Sequence, residues 1–400
     1  MSVLGIELGS TRIKAVLIDE ARRVRQTGVH EWENKYENGH WTYALEDVWA
    51  GIKDAAQQIE AEQASAIGIS AMMHGYLVFD KKGELLTPFR TWRDTTAQEA
   101  SGRLTQLFGF NIPRRWSVAH LYQAILDGEA HVRDIGYITT LAGYVHWKLT
   151  GERVLGLGDA SGMFPIADGG YNRRFVGQFR ELTGIDWRQI APRPLPAGVC
   201  AGTYKGVPLC PPEGDAGTGL MATGTLAPRT GNVSAGTSVF ATVVLEKPLA
   251  RVYPEIDVVV TPLGDCAAMV HANECTAKID PWLNLFGEAF DLMGAAYSRG
   301  ELFTRLYEAA LGDTKLSAFM RQLLESAVSE LSAGLRILTE REGVKIDSLA
   351  GHGGFFKSGR AGQAIMSEML GLPIHLVAQS AEGGAYGAGL LAAKIGGIAP

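Results

Sequence analysis

The chain has 400 residues, 46% hydrophobic and 20% charged, with a net charge of −6. That length exceeds what one core organises, so two domains are expected, and the acidic balance gives no general footprint for nucleic acid or an anionic membrane. No stretch approaches the ~20 apolar residues that span a bilayer. Gly5, Glu7, Gly9 and Arg12 interrupt the apolar start that a secretory leader needs. The four cysteines (Cys200, Cys210, Cys266, Cys275) have neither zinc-site spacing nor the density of a disulfide scaffold. Buried, reduced thiols in a cytoplasmic protein are expected.

The first element is a hairpin over residues 3–19, Val3-Leu4-Gly5-Ile6 and Ala15-Val16-Leu17-Ile18, with Leu8-Gly9-Ser10-Thr11 at its tip. A strand near Val24–Glu33, an amphipathic helix from about Leu45 to Gln63 and the strand Ala66–Ser70 follow. Residues 97–150 have a helical pattern broken at Pro113 and Gly136. A Pro/Ala/Gly-rich connection, Arg188–Gly206, leads to an expected buried strand, Val207–Cys210. The second half begins with another hairpin, residues 231–245, whose tip is Ala235-Gly236-Thr237-Ser238. Strands near Ile256–Thr261 and Ala267–His271, a long helix over Leu316–Glu342 and the strand Ser348–Gly351 complete the pattern. Gly206-Val207-Pro208-Leu209 before the Gly/Ala-rich 214–222 is echoed by Gly371-Leu372-Pro373-Ile374 before 384–392. The expectation is a duplicated α/β domain, residues 1–226 and 227–400, with a central cleft for ligand.

A glycine beside hydroxyls at a hairpin tip lets backbone amides and Ser/Thr side chains approach phosphate. One such loop is a turn; two in corresponding places suggest a grip on one polyphosphate. Gly9, Ser10, Thr11, Ser234, Gly236, Thr237 and Ser238 are therefore the candidate phosphate contacts, with Lys14 either a further positive charge or a solvated lysine. Asp215, after a strand and opening a helix, reads either as an N-cap or as a carboxylate that accepts a proton from a substrate hydroxyl. Glu7 next to the first loop reads as a water-mediated Mg²⁺ ligand or a strand-end glutamate. Gly353-Gly354 leaves room for a nucleotide ring or ribose, and Phe355, Phe356 and Lys357 either touch it or serve the core and surface. Met73, His74, Trp92 and Asp94 follow strand ends in the first half and supply the mixed wall that a sugar pocket needs.

Together these segments resemble the FGGY carbohydrate kinases of the actin-like ATPase superfamily. Gly5–Val16 resembles the family's opening phosphate loop, Met73-His74-Gly75 and Trp92-Arg93-Asp94 its sugar-side motifs, and Asp159-Ala160-Ser161-Gly162 another first-domain motif. Gly214-Asp215 falls on the catalytic-base motif, Ser234–Ser238 on the second phosphate loop and Gly351–Ser358 on the adenosine motif. The resemblance implies two actin-like (ribonuclease H-like) domains, ATP and Mg²⁺, and a small sugar as substrate. It implies Asp215 as base, contacting both sugar and metal. Met-His-Gly is closer to xylulokinases than to glycerol kinases, which carry Arg-Glu there, and so implies a ketopentose or polyol. Glu7 stands where the family has Asp, and the second domain is abridged around Met293–Thr314. An actin-like ATPase switch without sugar phosphorylation, or a relative with impaired turnover, remain the alternatives. A homodimer is an open expectation.

Overall fold

A computed structural model describes residues 2–358, 360–377 and 383–396, except the side chains of Lys357 and Ser358. The first hairpin forms as expected: β1 (Ser2–Leu8) pairs antiparallel with β2 (Arg12–Asp19), from Ser2 opposite Asp19 to Leu8 opposite Ile13. β3 (Val24–Glu31) extends it, while β4 (Ala64–Ala71) and the two-residue β5 (Glu213–Gly214) join the other side in parallel. The order is β5-β4-β1-β2-β3. Its central strands are near-continuous apolar runs because both faces are covered: Val3, Leu4, Ile6, Leu8, Ala66, Ile67 and Ile69 are all buried.

Glycines set how closely the helices lie on this sheet. The helix Leu45–Gln57 meets β3 where a Cβ on Gly28 would stand 1.9 Å from the carbonyl oxygen of Ala55. It stops short of the expected Gln63, and Gln58 at its end bonds the Val29 backbone through its side-chain amide, at 3.0 Å for each bond. The expected strand 207–210 is mostly a small hairpin, Thr203–Tyr204 with Val207–Pro208, and the sheet's fifth place goes to Glu213–Gly214.

The second sheet contains β6 (Thr230–Ala235), β7 (Val239–Val244), β8 (Ile256–Val260), β9 (Cys266–Ala272), β10 (Ser348–His352) and β11 (Ile374–Leu376). Its order is β8-β9-β7-β6-β10-β11. β6–β7 and β7–β9 are antiparallel, and β6–β10 and β10–β11 parallel. Without the edge strand β8, this is the order of the first sheet. The helix Lys315–Arg336 packs on it, with Gly334 against Val270.

The chain forms two compact units: residues 2–222, 258–266 and 383–396 in one, 223–257 and 267–377 in the other. The last helix, Gly383–Ala393, was expected with the second half, yet it lies on β1 and β4 of the first unit. A Cβ at Gly5 or Gly68 would stand 1.9 Å from the carbonyl oxygen of Ala385 or Ala388, and one at Gly387 equally close to that of Thr218. Residues this small allow backbone-to-backbone packing, which is the physical content of the Gly/Ala echo in the sequence. All four cysteines are free; Cys210 and Cys275 are buried, but Cys200 is exposed, contrary to the expectation of uniformly buried thiols.

Candidate functional site

In the first unit, the parallel strands β1, β4 and β5 end side by side, at the edge where open α/β sheets bind ligands. Glu7, Ser70 and Glu213 stand in register across them. β1 runs into the Gly9–Thr11 loop, closed by a bond from the Gly9 amide to the Arg12 carbonyl at 2.9 Å. Lys14, opposite Glu7 on β2, is partly buried. The Glu7 carboxylate lies against Gly384, where a Cβ would be 2.1 Å from its oxygen.

β4 leads to Met72–Gly75, and β5 to Asp215, the first residue of the helix Asp215–Thr223. One Asp215 oxygen accepts the amides of Ala216 at 3.0 Å and Met73 at 3.4 Å. Neither amide lies two or three residues into the helix, where an N-cap finds its partner. Burial pushes the carboxyl up to about 6, against the opposing pull of the Met73 and Ala216 amides and the Arg115 charge.

Two further acids stand behind Asp215. Glu213 is buried, and its carboxylate accepts the amides of Gly158 at 3.1 Å and Asp159 at 2.8 Å. It thereby ties the short helix Leu157–Ser161 to the turn that bears Asp215. A Cβ on Gly156 or Gly158 would collide with that carboxylate. Burial raises Glu213 to about 7 despite the two amides, and raises the fully buried Asp159, which accepts from Thr140 at 2.6 Å. Composition and spacing gave no reason to single out Glu213, because its partners are backbone amides 54 and 55 residues away.

Met73 and His74 are both buried. His74 has φ +71°, and its Nδ1 lies 3.0 Å from the Gly162 carbonyl oxygen, so the Met-His-Gly turn is held against the end of the Asp159-Ala160-Ser161-Gly162 segment. Trp92 is partly buried and donates from Nε1 to the Ser10 hydroxyl at 3.3 Å, which links the expected sugar wall to the first loop. Asp94 is 2% exposed. It accepts from the Thr96 amide and hydroxyl at 2.9 and 2.6 Å, and its other oxygen is 2.6 Å from His40 Nδ1. Burial alone would raise Asp94, but the Thr96 bonds and the neighbouring histidines hold it below the usual carboxylate range. Asp94 thus anchors the Trp92–Thr96 turn.

In the second unit, the Gly236 amide donates to the Ser238 carbonyl at 2.8 Å and closes the second loop. Gly353, at φ +105°, sits beside Ala235, where any Cβ would be 2.4 Å from the Ala235 carbonyl oxygen. Only glycine fits there. Gly354 begins the helical turn to Ser358, with open space at its Cβ position. Phe355 and Phe356 are buried in the core of the unit, and the Lys357 side chain lies outside the described residues.

Among the described residues, no three His, Cys, Asp or Glu side chains gather as a metal cage. A magnesium ion that takes phosphate oxygens and water needs only one or two carboxylates. Glu7 and Asp215, at the ends of β1 and β5, fit that requirement. No helix among the described residues is long and apolar enough to cross a membrane.

Residues 2–205 match the model of the FGGY family of carbohydrate kinases, N-terminal domain, and residues 311–395 match its C-terminal domain. The C-terminal match is short, as expected from the abridged sequence. Among curated proteins, glycerol kinase of Thermococcus kodakarensis is 26% identical over 178 residues, 40% of this chain and 36% of that protein. Xylulose kinase of Lactococcus lactis is 28% identical over 134 residues, 28% of this chain and 26% of its own length. The match thus spans about a third or less of these relatives. Among solved structures, xylulose kinase of Rhodospirillum rubrum superposes with a TM-score of 0.79 at 18% identity, covering 98% of this chain and 89% of that one. Plasmodium falciparum glycerol kinase with ADP gives 0.80 at 15%, covering 98% and 89%. The fold is the two-domain α/β fold of actin-like ATPases.

Proposed function

Because the chain belongs to the FGGY family of carbohydrate kinases, we propose that it transfers the γ-phosphate of ATP to a hydroxyl of a small carbohydrate. The observation that carries this reading is the position of Asp215: a carboxylate with raised proton affinity, at a strand end, beside the Met73 amide and in the unit that also holds the first loop. Its free oxygen takes the hydroxyl proton as the sugar oxygen attacks the γ-phosphorus and the bond to the β-phosphate oxygen breaks, releasing ADP. Glu7 and Asp215 would hold Mg²⁺ through water, and the ion would supply positive charge to neutralise the phosphates. In the first unit the hairpin tip Gly9–Thr11 offers amides and hydroxyls to phosphate; in the second, Ser234–Ser238 does the same and Gly353-Gly354 leaves room for the adenosine. Lys14 adds positive charge. Phosphoryl transfer asks the protein mainly for positioning, worth ~7–11 kcal/mol when the reactants are aligned.

The sugar occupies the first unit beside Met73, His74 and Trp92, with Asp94 fixing the turn that carries Trp92. Met73-His74-Gly75 favours a ketopentose such as xylulose, or a related polyol. Screening ketopentoses and polyols with MgATP by coupled ADP detection tests the class: sugar-dependent ADP production is expected. ATP turnover indifferent to every sugar would favour an ATPase switch instead. Asp215→Ala is expected to abolish the sugar-dependent signal while MgATP still binds. Full activity in that variant would refute the assignment of the base.

A further inference from the structure

The first phosphate loop is held from behind by aromatic side chains. Trp32 Nε1 donates to the Gly9 carbonyl at 2.7 Å, and the Tyr43 hydroxyl to the Ser10 carbonyl at 2.6 Å. The two rings stack, with centroids 4.2 Å apart, and both residues are buried. Burial raises the Tyr43 pKa, so the phenol stays a donor throughout the working pH range. In a planar trans peptide the C=O of one residue and the N–H of the next point in opposite directions. Fixing the Gly9 and Ser10 carbonyls on the aromatic side therefore aims the Ser10 and Thr11 amides the other way.

The second loop reaches the same state with different donors. Its Gly236 and Thr237 carbonyls, the equivalents of Gly9 and Ser10, accept the amides of Thr276 at 3.0 Å and Cys275 at 2.7 Å. The same pair of carbonyls is tethered in both copies. Two successive amides presented together make a concave anion site.

We infer that Trp32 and Tyr43 are positioning residues that pre-set the first loop for the polyphosphate by tethering its carbonyls. This rests on the kinase reading above. Trp92 adds a third tether: its indole donates to Ser10 Oγ and leaves the hydroxyl hydrogen available to phosphate.

Tyr43→Phe and Trp32→Phe each remove one donor and keep a ring in the stack. In calorimetric titrations of the full chain with MgATP and no sugar, each variant should bind about five- to tenfold more weakly than wild type, the size expected for one lost hydrogen bond. KM for ATP should rise by the same factor while KM for the sugar stays within about twofold and the melting temperature stays close to wild type. Variants that bind MgATP as tightly as wild type would overturn the inference alone. So would equal losses for ATP and sugar accompanied by a lower melting temperature, the mark of a merely structural role. Wild-type protein that binds no MgATP would overturn the kinase reading and the inference with it.

Discussion

Asp215 is pulled in two directions: burial raises its proton affinity, while the Met73 and Ala216 amides and the Arg115 charge lower it, leaving the group at about 6. A base must be ionised to accept a proton, so kcat/KM is expected to fall about tenfold per pH unit below about 6 and to level off above it. A pH–rate profile in the free-enzyme regime checks this, and a flat profile down to pH 5 would remove Asp215 from the role. The position of this residue was legible from the strand, the glycines and the helix around it. Its environment was not: Glu213 and Asp159 reach the site through contacts far apart in sequence, and neither carries a local pattern that announces burial. Asp94 teaches the same lesson. Its place beside Trp92 was legible, but its bonds to Thr96 and to His40, 54 residues away, were not.

At the scale of elements, alternation and glycine placement located the two hairpins almost to the residue, because a strand flanked by a polar tip has few other readings. They failed where a strand is only two residues long, Glu213–Gly214, and where a helix is assigned by sequence order rather than by what it packs on. The Gly383–Ala393 helix shows why: its small residues specify a close partner but not which one. The partner is identified by glycines elsewhere. Gly68→Ala should destabilise the protein by ~3 kcal/mol, since the new methyl would meet the Ala388 backbone, which has no rotamer to yield. Gly102→Ala, in the helix Gln98–Phe108 with open space around its Cβ position, should instead stabilise by about 0.5–1 kcal/mol. Urea unfolding of both variants tests the contrast; a neutral Gly68→Ala would mean that the helix sits further from the sheet.

For the molecule as a whole, the repeated strand order was foreshadowed by the two matching loops, although residues 206–310 are matched by neither family domain. That stretch holds Asp215 and the second loop, so their assignment leans on topology and on local chemistry. What no pattern of residues foretold is how the buried charges balance. His120 and His146 are buried, and burial pushes both down to about 4. Their folded pKa lies below the unfolded ~6.5, so their contribution to stability is complete above pH 6.5 and is lost as pH falls towards 4. Glu213 and Asp215 work in the opposite sense: raised to about 7 and about 6, they favour the folded state below their unfolded pKa, and that contribution is lost as pH rises through the folded values. The opposed sets flatten the wild-type profile, so a single substitution reveals the effect better than the profile itself. Replacing His146 by Asn removes one acid-sensitive group outside the candidate site. Relative to wild type, the variant should gain about 2 kcal/mol of stability between pH 7 and pH 5, since one pKa unit is worth ~1.4 kcal/mol. Tryptophan fluorescence is a suitable probe, because every tryptophan except Trp282 belongs to the first unit, as His146 does. Parallel stability curves for wild type and variant over that range would show that His146 does not stay neutral in the folded chain.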